Sequence, residues 1–130
     1  MKKNIMIVDD ELDILVSLKT VLEKNDFEVT MVANGKDCLK EIENGYKGVV
    51  LIDLMMPDMD GWDTINEIVN SGYINDVTIS VLTGKGTKDF QKMSMLGSYI
   101  MDYLTKPIDI NVLIKSLERS FKLFNSKNPL

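Results

Sequence analysis

Val49-Val50-Leu51-Ile52-Asp53-Leu54-Met55-Met56-Pro57-Asp58-Met59-Asp60-Gly61 is the stretch on which the fold turns. Val49 to Ile52 form a short apolar run, rich in β-branched side chains, that is too brief for a buried helix and reads as a strand covered on both faces. The run ends abruptly on Asp53, and a carboxylate at the end of a buried strand is costly unless it is paired. Pro57 interrupts any continuation. Asp60 then stands three residues before Asp63, a capping arrangement that predicts a helix over residues 60–70, with Trp62, Ile65 and Val69 aligned on one side.

The pattern repeats outward in both directions. Residues 5–8 (Ile5-Met6-Ile7-Val8) read as a second buried strand, followed by a helical stripe of Leu12, Leu15, Leu18 and Leu22. Residues 28–32 read as a strand and residues 35–44 as a helix carrying Cys38, Leu39 and Ile42. Strands over residues 77–82 and 99–104 alternate with helices over residues 87–96 and 110–124, the last showing Ile110, Leu113, Leu117, Phe121 and Phe124 on one face. Asp10 before Asp13 and Asn34 before Asp37 repeat the capping signature, with the acids in first turns where the helix dipole favours them. Alternation of this kind calls for a doubly wound α/β domain, a parallel sheet with helices on both faces. Residues 3–124 are expected to form that domain and residues 125–130 a loose tail.

Composition bounds the function. The chain has 130 residues, within the ~150 of one domain, and its charge of −5 disfavours duplex DNA or an anionic membrane as a direct partner. The absence of histidine removes Ser-His, Cys-His and His-ligated metal chemistry. A single cysteine, Cys38, excludes an internal disulfide. The apolar runs at residues 5–8 and 49–52 are far short of the ~20 residues that span a bilayer. A cytoplasmic protein is expected.

In a doubly wound sheet, ligands bind at the carboxyl ends of the strands. Those ends carry Asp9-Asp10-Glu11, Asp53, Thr83 and Lys106-Pro107. Each has a plain structural reading alone: Asp10 as a helix cap, Thr83 as a strand end, Lys106 as a solvated cation. Together they bring carboxylates, a hydroxyl and an ammonium to one edge. Two like charges about 4 Å apart repel by ~4 kcal/mol at an effective dielectric of 20, and a hard dication with oxygen ligands, Mg²⁺ above all, relieves that repulsion. A carboxylate oxygen left over is a nucleophile suited to phosphorus, with Thr83 and Lys106 as partners for phosphoryl oxygens.

The motifs Ile7-Val8-Asp9-Asp10-Glu11, Leu51-Ile52-Asp53-Leu54-Met55-Met56-Pro57, Val81-Leu82-Thr83-Gly84 and Asp102-Tyr103-Leu104-Thr105-Lys106-Pro107 resemble, in order and spacing, the receiver domain of two-component response regulators. The resemblance implies a flavodoxin-like sheet of strand order 2-1-3-4-5. It implies that Asp53 accepts a phosphoryl group from a sensor histidine kinase or phosphotransfer protein. Asp9, Asp10, Asp53 and the Met55 backbone carbonyl would hold Mg²⁺, with Mn²⁺ as an alternative occupant. Thr83 and Lys106 would hold phosphoryl oxygens, and Thr83 with Tyr103 would form the switch. The fourth helix, fifth strand and fifth helix would meet a downstream protein target or output domain. On this reading the chain is no enzyme beyond assisting its own phosphorylation and dephosphorylation, and it is either a stand-alone regulator or the receiver of a longer protein.

Two rivals share the features. A Mg²⁺-dependent phosphohydrolase with an aspartyl-phosphate intermediate usually carries a second Asp two residues after the nucleophile, and here that place is Met55. A pseudo-receiver acting only as a docking module would not need the acid pair, Thr83 and Lys106 together. A calcium-hand reading of Asp58, Asp60, Gly61 and Glu67 lacks its first ligand and its preceding helix.

Overall fold

The computed structural model describes residues 3–84 and 89–129. Strands β1 (Lys3–Val8), β2 (Phe27–Val32), β3 (Gly48–Asp53), β4 (Val77–Thr83) and β5 (Ile100–Thr105) form one sheet in the order β2-β1-β3-β4-β5. All four pairings are parallel. The connecting helices are α1 (Leu12–Lys24), α2 (Gly35–Glu43), α3 (Gly61–Asn70), α4 (Phe90–Leu96) and α5 (Ile110–Lys127). This is the doubly wound sheet that the alternation predicts. None of the helices among the described residues is long and apolar enough to cross a membrane.

Period-two alternation along the buried strands divides the core. Met6, Val8, Val50, Ile52, Ile79 and Val81 face α2, α3 and α4, packing with Ile42, Trp62, Ile65, Ile68 and Leu96. Ile5, Ile7, Val49, Leu51 and Leu82 face α1 and α5, packing with Leu15, Leu18, Leu22, Leu113, Leu117 and Phe121. Each such aliphatic side chain contributes roughly 1.5–3 kcal/mol by leaving water. On α3 the buried position is Ile68 rather than Val69, and on α1 the stripe begins at Leu15, because Leu12 lies at the helix entrance and stays exposed.

Three local expectations need correction. Asp10 caps nothing: Glu11 is the N-cap residue of α1 and makes no side-chain capping bond. By contrast, Asn34 accepts from the Asp37 N–H and Asp60 from the Asp63 N–H, each at 2.8 Å, and Asp60 with Asp63 closes a full capping box. Tyr99 belongs to a short 3₁₀ turn, Gly97–Tyr99, and β5 starts one residue later. There the register slips: Ile79 faces Ile100 but Ser80 faces Asp102, so Met101 is the extra residue of a bulge.

The tail is the third correction. Helix α5 runs on to Lys127, past the expected end at Phe124. The Lys127 ammonium donates to the carbonyls of Val77 at 2.7 Å and Ile74 at 3.3 Å, and the Asn128 amide donates to the Asn75 carbonyl at 3.1 Å. These bonds tie the last turn to the foot of β4. The first two residues of the expected fourth helix lie outside the described residues, and α4 itself is capped by Asp89, which accepts from the Lys92 N–H.

Gly61 fixes the start of α3 against the end of β3. A Cβ there would lie 2.5 Å from the Asp53 carbonyl oxygen and 2.7 Å from the Leu54 Cα, both backbone atoms with no room to yield. Gly61→Ala is therefore expected to lower the unfolding free energy by about 1–3 kcal/mol. Urea unfolding checks this, and an unchanged midpoint would show that the α3 entrance relaxes without cost.

Candidate functional site at the carboxyl edge of the sheet

Register assembles the site. Val8 pairs with Ile52, so the next residues, Asp9 and Asp53, emerge side by side from neighbouring strands. Asp53 pairs with Leu82, which places Thr83 one step further along β4. Thr83 pairs with Thr105, and the Lys106 N–H donates to the Thr83 carbonyl at 2.8 Å, which holds Lys106 at the same edge.

Asp9 is fully buried and Asp53 is 3% exposed. Lys106 Nζ donates to Asp53 Oδ2 at 3.0 Å and lies 3.0 Å from Asp9 Oδ2. The second contact is close but poorly aligned, so Asp9 Oδ2 has no well-formed hydrogen bond. Asp9 Oδ1 accepts from the Glu11 N–H at 2.9 Å, and Asp53 Oδ1 accepts from the Met55 N–H at 3.0 Å. One oxygen of each buried acid is thus occupied by its own loop, and the other faces Lys106.

The electrostatics follow. Burial raises the Asp53 pKa, opposed by the Met55 and Lys106 hydrogen bonds and assisted by the charge of Asp9. Burial disfavours the Lys106 ammonium, but the hydrogen bond to Asp53, the close contact with Asp9 and the charges of both outweigh it and hold the pKa above the ordinary lysine value. Lys106 therefore stays charged, the counter-ion of the pocket.

Oxygen atoms of Asp9, Asp10 and Asp53 lie within 4.8 Å of one another. A buried Asp9 oxygen that is ion-paired to Lys106 but lacks a well-formed hydrogen bond, an exposed Asp10 not engaged in capping, and an all-oxygen donor set fit a hard dication. Met55 follows in the same turn, its side chain 62% exposed at the mouth of the site. Tyr103 sits on β5 opposite Val81, half-buried against the α2–α4 side of the core, and partial burial raises its pKa. A Cβ on Gly97 would lie 3.7 Å from its hydroxyl, so the ring reaches toward the end of α4.

Glu11, named by the sequence reading at the end of the first strand but given no role there, is a site residue. Its carboxylate lies 3.4 Å from Lys106 Nζ and is well exposed. The signal was its place directly after the acid pair. The calcium-hand reading fails on geometry, since Asp60 is engaged in capping α3. Cys38 is fully buried, and desolvation, with the charge of Glu41 adding to it, pushes its pKa up to about 12, so the thiol is chemically inert.

Comparison with known proteins agrees with this geometry. Residues 5–118 match the family model of the response regulator receiver domain. The chain is 32% identical over 114 residues to the transcriptional regulatory protein CpxR homolog of Haemophilus influenzae, a match covering 88% of this chain and 48% of that protein. It is 30% identical over 115 residues to Protein PilG of Pseudomonas aeruginosa, covering 88% of this chain and 84% of that one. The chain spans about half the length of the first curated relatives it matches. A crystal structure of a CheY-like response regulator receiver domain protein from Methanospirillum hungatei superimposes with a TM-score of 0.90 at 36% identity, covering 97% of this chain and 99% of that one. With that match spanning nearly the whole sheet and all four motif-bearing strand ends, the chain belongs to the receiver domain family of two-component response regulators.

Proposed function

We propose that Asp53 is the phosphoacceptor, taking a phosphoryl group from the phosphohistidine of a sensor histidine kinase or phosphotransfer protein. The observation that carries this reading is the meeting of Asp53, Asp9 and Lys106, with the ammonium 3.0 Å from both carboxylates. In the reaction a carboxylate oxygen of Asp53 forms the bond to phosphorus as the P–N bond to the donor histidine breaks. Lys106 swings from Asp53 Oδ2 to the arriving phosphoryl oxygens as a point charge, and the Thr83 hydroxyl donates to another. Asp9, Asp10, Asp53 and the Met55 carbonyl would hold Mg²⁺ or Mn²⁺, which supplies neutralisation of the phosphoryl charge. The chain catalyses nothing beyond its own phosphorylation and the loss of that phosphate. A phosphohistidine donor places the reaction in the cytoplasm.

Phosphate on Asp53 shifts a conformational population. Thr83 moves toward the phosphoryl group, Tyr103 becomes more buried, and the surface of α4, β5 and α5 changes for a downstream target or output domain. Lys115 and Lys122 are exposed on that surface and suit an acidic partner. Lys92 lies 3.9 Å from the Asp60 carboxylate, and Lys88 lies outside the described residues.

With acetyl phosphate and Mg²⁺, wild-type protein is expected to gain one hydroxylamine-labile phosphate by mass spectrometry, and Asp53→Asn none. Label retained on that variant moves the acceptor elsewhere, and sustained release of inorganic phosphate without accumulation favours a hydrolase.

Removing Lys106 leaves two buried carboxylates uncompensated, a change worth about 3–5 kcal/mol in buried pairs. Lys106→Gln is expected to lower the metal-free Tm and to gain more from added Mg²⁺ than wild type does. Equal Mg²⁺-induced shifts in thermal unfolding would separate Lys106 from the cation site.

Met55 has no group able to orient an attacking water. The matching position two residues after Thr83 is Lys85, which lies outside the described residues. Met55→Asn with Lys85→Glu is expected to speed phosphate loss, toward the ~10²-fold lower bound of general acid–base assistance. Decay of purified phosphoprotein tests it, and an equal or slower variant removes these positions as determinants of lifetime.

A further inference from the structure

Lys106 is shared among three acids that differ in freedom. Its ammonium carries three N–H groups. It donates to Asp53 Oδ2 at 3.0 Å and to Glu11 Oε1 at 3.4 Å, whereas Asp9 Oδ2, also 3.0 Å away, is poorly aligned. The head of the lysine is therefore aimed by Asp53 and Glu11 rather than by Asp9. Asp9 and Asp53 are buried, and the second oxygen of each accepts a backbone N–H from its own loop, so their places are fixed. The Glu11 side chain is 60% exposed and has room to turn. Its position offers that carboxylate a different use. Glu11 is the N-cap residue of α1, a place where a short oxygen-bearing side chain normally bonds the free N–H groups of the helix. Glu11 makes no such bond, and its carboxylate reaches instead to a lysine 95 residues away. Its backbone N–H meanwhile serves Asp9, a bond that survives replacement of the side chain.

On the phosphoacceptor reading, Lys106 must leave Asp53 Oδ2 for the phosphoryl oxygens. Transfer to Asp53 takes away one of the two aligned acceptors, and Glu11 keeps the other. A charge-assisted hydrogen bond that has to bend or break before the lysine can turn opposes that turn. We propose that Glu11 is a positioning residue that holds Lys106 in its resting place and so restrains phosphorylation of Asp53. The inference rests on the phosphoacceptor reading and adds a regulator to the same site. Solvent screens an exposed carboxylate, so the restraint is modest, about two- to fivefold in rate, the range of exposed ion pairs.

Two variants separate the contact from the charge. Glu11→Gln removes the charge at nearly equal size. Glu11→Asp keeps the charge but shortens the reach, and an aspartate at an N-cap bonds the helix N–H groups. With acetyl phosphate at saturating Mg²⁺, which removes differences in metal affinity, both are expected to gain phosphate about two- to fivefold faster than wild type by mass spectrometry. The lysine itself is read without phosphate. Trace acetylation by acetic anhydride, with the exposed Lys115 and Lys122 as internal standards, is expected to label Lys106 about two- to fivefold faster in both variants. A Glu11→Asp protein that behaves as wild type reduces the effect to surface charge and overturns the proposal. Unchanged or slower phosphorylation in Glu11→Gln overturns it, and so does faster phosphorylation with unchanged labelling of Lys106. If no chain takes phosphate, wild type included, the phosphoacceptor reading falls and the restraint falls with it.

Discussion

A single ammonium between two buried carboxylates governs this molecule. Asp9 and Asp53 leave the ends of adjacent central strands, and neither has access to bulk water. With oxygens within 4.8 Å of each other, their mutual repulsion is on the order of 4 kcal/mol at an effective dielectric of 20. Each attraction to Lys106, at 3.0 Å, is of similar size. Desolvation of each buried ion costs several kcal/mol more. The arrangement is therefore close to balance rather than strongly stabilising. With Asp10 and Glu11 also at the edge, negative charge exceeds positive, and the pocket is poised to take up cations.

Parallel pairing makes this crowding unavoidable. Every strand of a parallel sheet presents its carboxyl end at the same edge, so residues distant in sequence converge as soon as the register is set. The Val8–Ile52, Asp53–Leu82 and Thr83–Thr105 pairs do that work. The apolar alternation that buries both faces of β1, β3 and β4 also makes a one-residue slip prohibitive, because it would exchange the two halves of the core. The charged site is held in place by the hydrophobic strands beneath it.

The same division explains what the sequence disclosed. Apolar periodicity is a local signal that burial amplifies, so the strands, the five helices and the strand-end residues Asp9, Asp53, Thr83 and Lys106 were legible. What escaped depended on contacts remote in the chain. Asp10 looked like a cap because it precedes Asp13 by three, yet Asp9 Oδ1 holds the Glu11 N–H and the helix opens one residue later. The tail looked loose because residues 125–128 are polar and Pro129 follows them, but Lys127 finds carbonyls about 50 residues away in sequence. Tyr99 fits a strand by composition, and only the bulge opposite Ile79 and Ser80 displaces it. Glu11 was read at the strand end, but its pairing with Lys106 escaped because that reach crosses from the first strand to the fifth.

Neighbouring side chains on β5 are restrained unequally. Asp102 Oδ2 accepts from Ser116 Oγ at 2.7 Å and from Arg119 at 3.1 Å, which fastens that side of the strand to α5. One turn further on, the Ser120 hydroxyl donates to the Ser116 carbonyl, so its oxygen receives the proton of Ser80 Oγ at 3.4 Å. A seam of directional bonds thus joins β4, β5 and α5, and sliding α5 would break several at once. Tyr103, the next residue, has no such side-chain bond among the described residues; there packing holds its ring, and the short α4 lies beyond it. On the proposed reading, a pull on Thr83 meets a stiff side toward α5 and a compliant side toward α4. Packing contacts are individually weak and non-directional, whereas the seam resists displacement along defined bonds. The phosphorylation response should therefore concentrate in Tyr103 and α4, with α5 serving as the fixed reference against which they move.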